Sequence, residues 1–384
     1  MRKASVLALV LAGAVSLVLP LATAGADSIR IGAILAVTGP AANLGLPEAR
    51  TLQMLVEDAN AAGGILGQKV ELVIKDSQGS VEKSVSFAKQ LAEETGVLAI
   101  IGPSTSGESM ALKGWAEQDE QLVISCAAAA TIVQPPAKWV FKTPQMDSFA
   151  AQAIFSTMKK LGISRFGAVV SNTGFGQGGK AQLEKLAPKA GLTLAITEVY
   201  DSSATDLTAV LAKVKAQNVQ AVVNWSVEPA QSLVPKNMRQ MGFDVPLFQS
   251  HGFGNIAYVT AAGKAADGII FPAGRLLVVD ALAASHPQKK VLAAYKKEYE
   301  ARYREDVSTF GGHAFDAFLI LSEAIRKAGS ADKYKVRDAL EGLTGLVGTA
   351  GVFSFSPEDH NGLTLDSFEM LVVRNGAFAL YGGN

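Results

Sequence analysis

The chain has 384 residues, of which 49% are hydrophobic and 18% are charged, so its length predicts two domains with large cores rather than one. Its 35 basic and 35 acidic residues balance, and loss of Arg2 and Lys3 with a cleaved leader leaves a net charge of −2. This balance removes the electrostatic case for binding nucleic acid or an anionic membrane.

The first predicted element is a secretory signal peptide at residues 1–26. Arg2 and Lys3 precede an apolar run that ends in small residues, so cleavage is expected near Ala24 or Ala26. An uncleaved membrane anchor is the alternative, but the apolar run is short for a span. No cysteine directly follows the apolar run, so no lipid-attachment site is predicted. A free, exported, periplasmic chain is expected.

After the leader, strand-like and helix-like stretches alternate in two successive series. The first series runs from "IRIGAILAV" through "KVELVIKDS" and "VLAIIGPS" to "QLVISCAA", and the second from "RFGAVVSN" to "VPLFQSHG". Short runs rich in Val and Ile between helical periods are typical of βαβ units with a parallel sheet. The sequence therefore predicts an α/β protein with two doubly wound parallel-sheet lobes.

Three later segments are predicted to carry the chain from one lobe to the other. They are "WVFKTPQMDS", "ADGIIFPAGRL" and the tail that begins "GVFSFSPEDHNG". These crossovers assign 27–146 plus about 276–356 to the first lobe and 147–275 plus about 357–384 to the second. The carboxyl ends of both sets of strands then meet at one cleft, where parallel sheets bind ligands.

In the first lobe, hydroxyl residues follow the strand "VLAII" at the predicted start of a helix. Ser104 and Ser106 there suit a carboxylate, because backbone amides at a helix start are open. The alternative is that one of these serines only caps the helix. The next strand ends "ISCAAAAT", where alanines allow a ligand close to the backbone or simply allow close packing.

In the second lobe, three strand ends carry aromatic and polar residues. The segments "SNTGFG", "NWSVEP" and "QSHGFGN" are predicted to place rings near the cleft, namely Phe175, Trp225, His251 and Phe253. Rings beside a few polar groups suit a ligand with a flat apolar body and a polar head, although each ring also suits a buried structural role.

No metal, cofactor or enzymatic activity is predicted. His251 has no partners at metal-ligand spacing, so it is interpreted as a hydrogen-bond donor to a carboxylate or as a core histidine. Gly174, Gly176 and Gly179 do spell G-x-G-x-x-G, and an exported nucleotide-dependent oxidoreductase with Glu198 as the ribose acid is the rival hypothesis. The glycines are instead interpreted as a tight turn that carries Phe175 towards a solute.

The segments "IRIGAILAVTGPAANLG", "DANAAGGILGQKVELVIKDSQ", "IGPSTSG", "ISCAAAAT" and "GVFSFSPEDHNG" together resemble the extracytoplasmic solute receptors of ABC importers in the leucine/isoleucine/valine-binding family. The resemblance covers nearly the whole mature chain. It implies a type I periplasmic binding protein fold, with two lobes joined by a three-crossover hinge that close on a small ligand. It also implies a membrane permease as partner, and a monomer is expected.

The resemblance further implies roles for five residues. Ser106 matches the hydroxyl that holds the ligand carboxylate, and Ala127 matches the backbone site at the ligand head group. Ala129 stands where relatives often have threonine, while Phe175 and Leu44 take the places of frequent tyrosines.

The sequence departs from the amino-acid receptors of that family at "QSHGFGN", which has no acid to pair with a ligand ammonium. A buried ammonium without an anionic partner costs several kcal/mol. The sequence therefore favours a carboxylate ligand without an essential amino group, an aromatic acid above all. A branched-chain or other amino acid receptor stays the alternative, with Glu228 or Asp147 as substitute acid, and a ligand sensor for a signalling partner is a further one.

Overall fold

The strands of the first half of the chain form one sheet in the computed structural model, which describes residues 28–382. They are β1 (Ile29–Leu35), β2 (Val70–Asp76), β3 (Ala99–Ile101), β4 (Leu122–Ser125) and β5 (Val140–Lys142). The order across the sheet is β2-β1-β3-β4-β5, and each neighbouring pair is parallel. The predicted signal peptide lies outside the described residues.

The second half of the chain supplies a seven-stranded sheet and a small hairpin. Its strands are β6 (Arg165–Ser171), β7 (Thr193–Tyr200), β8 (Ala221–Trp225), β9 (Leu247–Gln249), β10 (Ile270–Ala273), β11 (Leu346–Val347), β12 (Val352–Phe353), β13 (Glu369–Arg374) and β14 (Ala377–Leu380). The sheet order is β14-β13-β10-β9-β8-β6-β7, and β11 pairs only with β12. The pairs that involve β13 are antiparallel, and the others in this sheet are parallel.

Eleven α-helices of the described residues connect and cover these sheets. They are α1 (Ala42–Ala61), α2 (Val81–Gln90), α3 (Ser106–Gln118), α4 (Asp147–Lys160), α5 (Gly174–Leu186), α6 (Thr208–Lys215), α7 (Leu233–Gln240), α8 (Ile256–Ala262), α9 (Lys289–Tyr303), α10 (Thr309–Ala328) and α11 (Lys333–Glu341).

Alternate residues of the first sheet enter two different cores. Ile31 and Ile101 pack in one core with Leu52 of α1 and with helices α10 and α11. Ile34 and Ile100 pack in the other core with α2 and α3. Burial on both faces explains why the inner strand β3 is apolar along its whole length. The predicted doubly wound architecture is confirmed.

The chain passes between the lobes three times, as predicted. It first crosses between β5 of the first sheet and α4, whose apolar face belongs to the core of the second lobe. It returns after β10 through residues 274–288 to α9 and α10. The last crossing precedes β13, and Leu363 still packs in a first-lobe core. We therefore propose that the third crossover lies near 364–368 rather than at the expected 357.

Helix α1 begins five residues before Pro47, which therefore lies inside the helix. Because proline has no amide hydrogen, the Asn43 carbonyl is left without its partner in the helix. That carbonyl accepts a hydrogen bond of 3.0 Å from Nδ2 of Asn255, which precedes α8 in the second lobe. A local defect in α1 therefore provides a contact between the lobes.

Candidate functional site

A small cavity lies between the two sheets, where the carboxyl ends of their strands face each other. Its free volume is about 30 Å³. The lining residues come from both lobes, from the first crossover and from α10: Leu44, Ser104, Thr105, Ser106, Cys126, Ala127, Ala128, Pro144, Phe175, Val227, His251, Gly252, Phe310 and His313. The predicted cleft and the cavity therefore coincide.

The structure brings six of the nine predicted site residues to this cavity and leaves three behind its wall. The six are Leu44, Ser104, Ser106, Ala127, Phe175 and His251. Ala129 is buried behind Ser106, and Trp225 is buried behind Phe175 and His251. Phe253 packs in the second-lobe core against Tyr258, Phe271 and Phe378.

Helix α3 begins with a capping box that involves neither predicted serine. The Thr105 side chain accepts from the Glu108 amide, and the Glu108 carboxylate accepts from the Thr105 amide. The expectation that Ser104 or Ser106 caps this helix is therefore wrong. Because Thr105 caps the helix, the Ser106 hydroxyl is available to another hydrogen-bond partner.

Ser106 Oγ accepts a hydrogen bond of 3.2 Å from the Ala129 amide. This contact ties the start of α3 to the alanine run after β4. A hydroxyl also carries one hydrogen to donate, and no acceptor for that hydrogen is recorded among residues 28–382. Ser106 is therefore a buried donor at the cavity wall.

The Ser104 hydroxyl forms its hydrogen bonds with other residues of the first lobe. Its Oγ accepts from the Ala36 amide at 3.0 Å and donates to the Glu48 carboxylate. Burial raises the pKa of Glu48 to about 8, although the bond from Ser104 acts in the opposite direction. Ser104 therefore forms part of the cavity wall, but its only hydroxyl hydrogen is already donated to Glu48.

Aromatic rings form the second-lobe wall of the cavity. The His251 ring lies 5.2 Å from Phe175, 5.6 Å from Trp225 and 5.6 Å from Phe368, measured between ring centroids. Neither nitrogen of His251 has a hydrogen-bond partner within the described residues. Burial, followed by the charges of Lys142 and His313, lowers the pKa of His251 well below its usual range, so the free ring is neutral at pH 7.

Of the two substitute acids that the sequence offers, only Asp147 is uncommitted. Glu228 accepts bonds from Ser226 Oγ at 2.6 Å and from the Val227 amide at 3.2 Å. Both carboxylate oxygens of Asp147 lack a hydrogen-bond partner in the described part of the chain, and Oδ1 lies 3.6 Å from Nε2 of His251. Burial raises the pKa of Asp147 to about 7, whereas the charge of Lys142 and the nearby backbone amide of Ala130 lower it.

Lys142 is fully buried at the end of β5, where the first crossover begins. Its Nζ donates to the carbonyls of Ala128, Pro144 and Gln145 at 3.0, 2.7 and 3.3 Å. Burial lowers the pKa of Lys142 to about 7, whereas the charge of Asp147 raises it, and three acceptors around one nitrogen favour the ammonium form. Sequence reasoning missed this residue, since lysine is normally an exposed residue type.

The three glycines of the G-x-G-x-x-G pattern are close-packing positions within α5. A Cβ on Gly176 would lie 2.0 Å from the Ser171 carbonyl oxygen, and one on Gly179 would lie 2.3 Å from the Trp225 ring. None of the three has the positive φ that a tight turn needs. The tight-turn interpretation is therefore wrong, and contact with β6 and β8 explains Gly176 and Gly179.

The amino ends of α3 and α5 meet across the cleft. A Cβ on Gly174, the first residue of α5, would lie 2.8 Å from the backbone nitrogen of Gly107. Each helix end carries a partial positive charge and free amide hydrogens. The start of α5 therefore faces the first lobe, where a dinucleotide phosphate would need space.

Residues 28–382 contain no cluster of three or more His, Cys, Asp or Glu side chains able to hold a metal ion. Within the same range, no helix combines the length and apolar character needed to cross a membrane.

Comparisons with known proteins agree with this architecture. A family model described as periplasmic binding protein matches residues 28–374. A leucine-, isoleucine-, valine-, threonine- and alanine-binding protein of Pseudomonas aeruginosa is 26% identical over 321 residues, which cover 83% of each chain.

Solved structures show the same fold. An extracellular ligand-binding receptor from Rhodopseudomonas palustris HaA2 is 29% identical, with a TM-score of 0.87 over 93% of this chain and 100% of that one. The branched-chain amino acid transporter substrate binding protein LivJ from Streptococcus pneumoniae, solved with isoleucine, is 25% identical, with a TM-score of 0.80 over 92% and 98% of the two chains. The chain belongs to the periplasmic binding protein family, and its two lobes and three crossovers form the type I fold of that family.

Proposed function

We propose that this protein is the solute receptor of an ABC importer and not an enzyme. It captures a small carboxylate, with an aromatic or related organic acid favoured, in the cavity between the lobes, and delivers it to a membrane permease. The observation that carries this proposal is the convergence of two helix amino ends and the Ser106 hydroxyl on a cavity with an aromatic wall.

The helix ends supply the anion preference. The partial charges at the starts of α3 and α5 add up at one point of the cleft, and both helices have 13 residues. Such ends bind carboxylates through backbone amides and the helix dipole. Ser106 adds a hydroxyl donor beside them. A carboxylate at this point therefore finds donors from both lobes and holds the lobes together.

The aromatic wall supplies the preference for the rest of the ligand. Phe175, His251 and Phe310 line the cavity, and Trp225 supports the first two from behind. Apolar rings gain from contact with a second flat ring through buried area and edge-to-face geometry. A benzoate-type acid presents its carboxylate to the helix ends and its ring to this wall.

Entry of any such acid needs movement of the lobes. Ligand pockets are commonly about 300–1,000 Å³, and the cavity between the lobes is about 30 Å³. The three crossovers form a hinge, and hinge closure on a ligand is a common switching mode. A ligand drives that closure only through a higher affinity for the closed state.

An amino acid receptor is the second candidate, because Asp147 offers two unpaired, buried carboxylate oxygens. A ligand ammonium beside Asp147 would have an anionic partner, which the strand end at 250–253 does not supply. Relatives whose names state leucine, isoleucine and valine binding support this candidate. Against it, His251 already faces Asp147, so the ammonium would have to displace the ring.

Isothermal titration calorimetry of the purified mature protein with benzoate, 4-hydroxybenzoate and leucine separates these candidates. We expect binding of at least one aromatic acid and weaker or no binding of leucine. Tight leucine binding without any aromatic-acid binding would reject the organic-acid proposal in favour of the amino acid receptor. Binding of a nucleotide, seen as absorbance at 260 nm in the purified protein, would support the oxidoreductase instead.

Replacing Ser106 by alanine is expected to weaken binding of the carboxylate by about 1.5–3 kcal/mol, because a hydrogen bond to a charged group is lost. Calorimetry with the acid that binds best measures this change. Ser109→Ala is the matched control, since Ser109 lies in the same helix and contacts Ser125 instead of the cavity. An unchanged affinity in Ser106→Ala would remove this hydroxyl from the site.

The remaining features of the proposal follow from the family and the sequence. We propose export to the periplasm with cleavage near Ala24 or Ala26, a monomeric receptor, and the lobe division given above. N-terminal sequencing of the protein from the periplasmic fraction tests the export and cleavage. Genes for permease and ATPase subunits beside this one would favour transport over the sensor role, and a neighbouring membrane signalling protein would favour the sensor.

A further inference from the structure

Asp147 and His251 form a buried pair whose four polar side-chain atoms all lack hydrogen-bond partners among the described residues. His251 lines the cavity, whereas Asp147 lies behind it. The distance between Oδ1 of Asp147 and Nε2 of His251 is 3.6 Å, slightly too long for a hydrogen bond. Buried polar groups are nearly always paired, so this concentration of unpaired atoms needs a functional explanation.

His251 is the titratable side chain of this pair that faces the cavity. Rings of Phe175, Trp225 and Phe368 cover three of its sides. The titratable or charged groups that act on it are Asp147, Lys142 and His313. The ammonium of Lys142 is held by three carbonyls, and it balances the charge of Asp147.

A carboxylate that enters this cavity adds a negative charge to groups whose charges already cancel. Helix ends provide only partial charges, and a buried anion without a full countercharge is costly. A proton taken up with the ligand restores the balance. Within the Asp147–His251 pair, the imidazole of His251 is the group that faces the cavity. A carboxylate behind a histidine ring fixes the orientation of the ring and stabilises its cationic form.

We propose that a carboxylate ligand binds together with one proton, which the His251–Asp147 pair takes up. Asp147 is the positioning residue, because it holds Nε2 of His251 and leaves Nδ1 for the ligand. This inference rests on the proposed function. Burial keeps the pKa of free His251 far below neutrality, and the arriving anion raises it. Since the bound pair has the higher pKa, affinity is highest at low pH and falls as pH rises through the bound pKa.

Calorimetric titration of the mature protein with sodium benzoate tests the proton uptake. At one pH, phosphate and Tris buffers differ in ionisation enthalpy, so the difference in observed heat gives the number of protons taken up. We expect close to one proton per benzoate at pH 7, and an affinity that falls by up to tenfold per pH unit between the free and the bound pKa and levels off above the bound pKa. Equal heats in both buffers with measurable binding would overturn the inference and leave the proposed function standing.

Three variants assign the proton to the pair. His251→Gln should bind benzoate with no proton uptake and with an affinity independent of pH between 6 and 8. Asp147→Asn should lower the pH at which affinity falls, since the imidazolium loses its countercharge. His313→Gln removes the other histidine of the cavity wall, so proton uptake should persist in this variant even where its affinity for benzoate changes. Loss of uptake in His313→Gln alone would move the proton to that residue and overturn the assignment.

Histidine NMR of the ligand-free protein tests the pair without any ligand. Imidazole ¹⁵N shifts should show His251 neutral from pH 6 to 8 with the hydrogen on Nε2, and Asp147→Asn should change that tautomer. A cationic His251 at pH 7, or the same tautomer in both proteins, would overturn the inference. Failure of benzoate and leucine to bind would instead count against the proposed function. Binding of leucine without binding of benzoate would reject an organic acid without an amino group as the ligand.

Discussion

Replacing Lys142 by methionine is expected to lower the free energy of unfolding by about 3–5 kcal/mol, the usual cost of breaking a buried charge cluster by removing one partner. The side chain of Lys142 is fully buried. Methionine keeps the volume but removes this donor from three carbonyls, of which the Pro144 carbonyl keeps another donor, Asn361 Nδ2 at 2.8 Å. It also leaves Asp147 without a nearby cation. Two of these carbonyls belong to the first crossover, so the hinge also loses its anchor.

Urea denaturation followed by circular dichroism measures this effect. The double variant Lys142→Met/Asp147→Asn should recover part of the loss, because the second substitution removes the unpaired charge. Lys236→Met, at an exposed position in α7, is the matched control and should stay within about 0.5 kcal/mol of wild type. A loss below 1 kcal/mol in Lys142→Met would contradict the assigned role.

Replacing Trp225 by alanine is expected to cost about 3–5 kcal/mol of stability, the typical range for removing a large buried aromatic side chain. Trp225 is fully buried and contacts Phe175 and His251. It also fills the space against Gly179 of α5. The same variant should loosen the aromatic wall and weaken ligand binding, although Trp225 does not line the cavity.

A double-mutant cycle with Gly179→Ala tests the packing explanation of the glycine pattern. In the wild type, the new methyl group meets the indole ring, and overpacking of this kind typically costs about 1–3 kcal/mol. In the Trp225→Ala background the same methyl group has space, so its cost should largely disappear. Gly114→Ala, in α3 with open space around it, should be neutral or stabilising. Equal costs of Gly179→Ala in both backgrounds would reject contact with Trp225 as the reason for the glycine.

The sequence predicts the sheets well because their strands are buried on both faces. Strand β1, for example, places Ile31 and Ile34 in different cores, so its sequence carries no polar side chain from Ile31 onward. Counting to the ends of strands also located Ser106 and Phe175 at the cleft. These successes depend on local pattern and on the rule that the carboxyl ends of parallel strands share one edge.

The same counting fails where tertiary packing decides the direction of a side chain. Trp225 and Phe253 stand at or after strand ends, yet their rings pack into the second-lobe core. Phe310 and His313 were missed because α10 enters the cavity from a distant part of the sequence; the Thr143 hydroxyl donates to the His313 carbonyl at 3.0 Å. Lys142 belongs to a residue type that is normally exposed, so no local signal indicates its burial.

Pro47 has a consequence for the resting state of the receptor. The carbonyl that it frees in α1 accepts the bond from Asn255 across the lobes, and no solute takes part in this contact. A typical hydrogen bond contributes about 0.5–1.5 kcal/mol, which is roughly a 2- to 13-fold change in the ratio of closed to open molecules. Apparent affinity scales with the fraction of molecules already competent to bind. A residue that never touches the solute therefore helps to set the concentration at which the receptor fills.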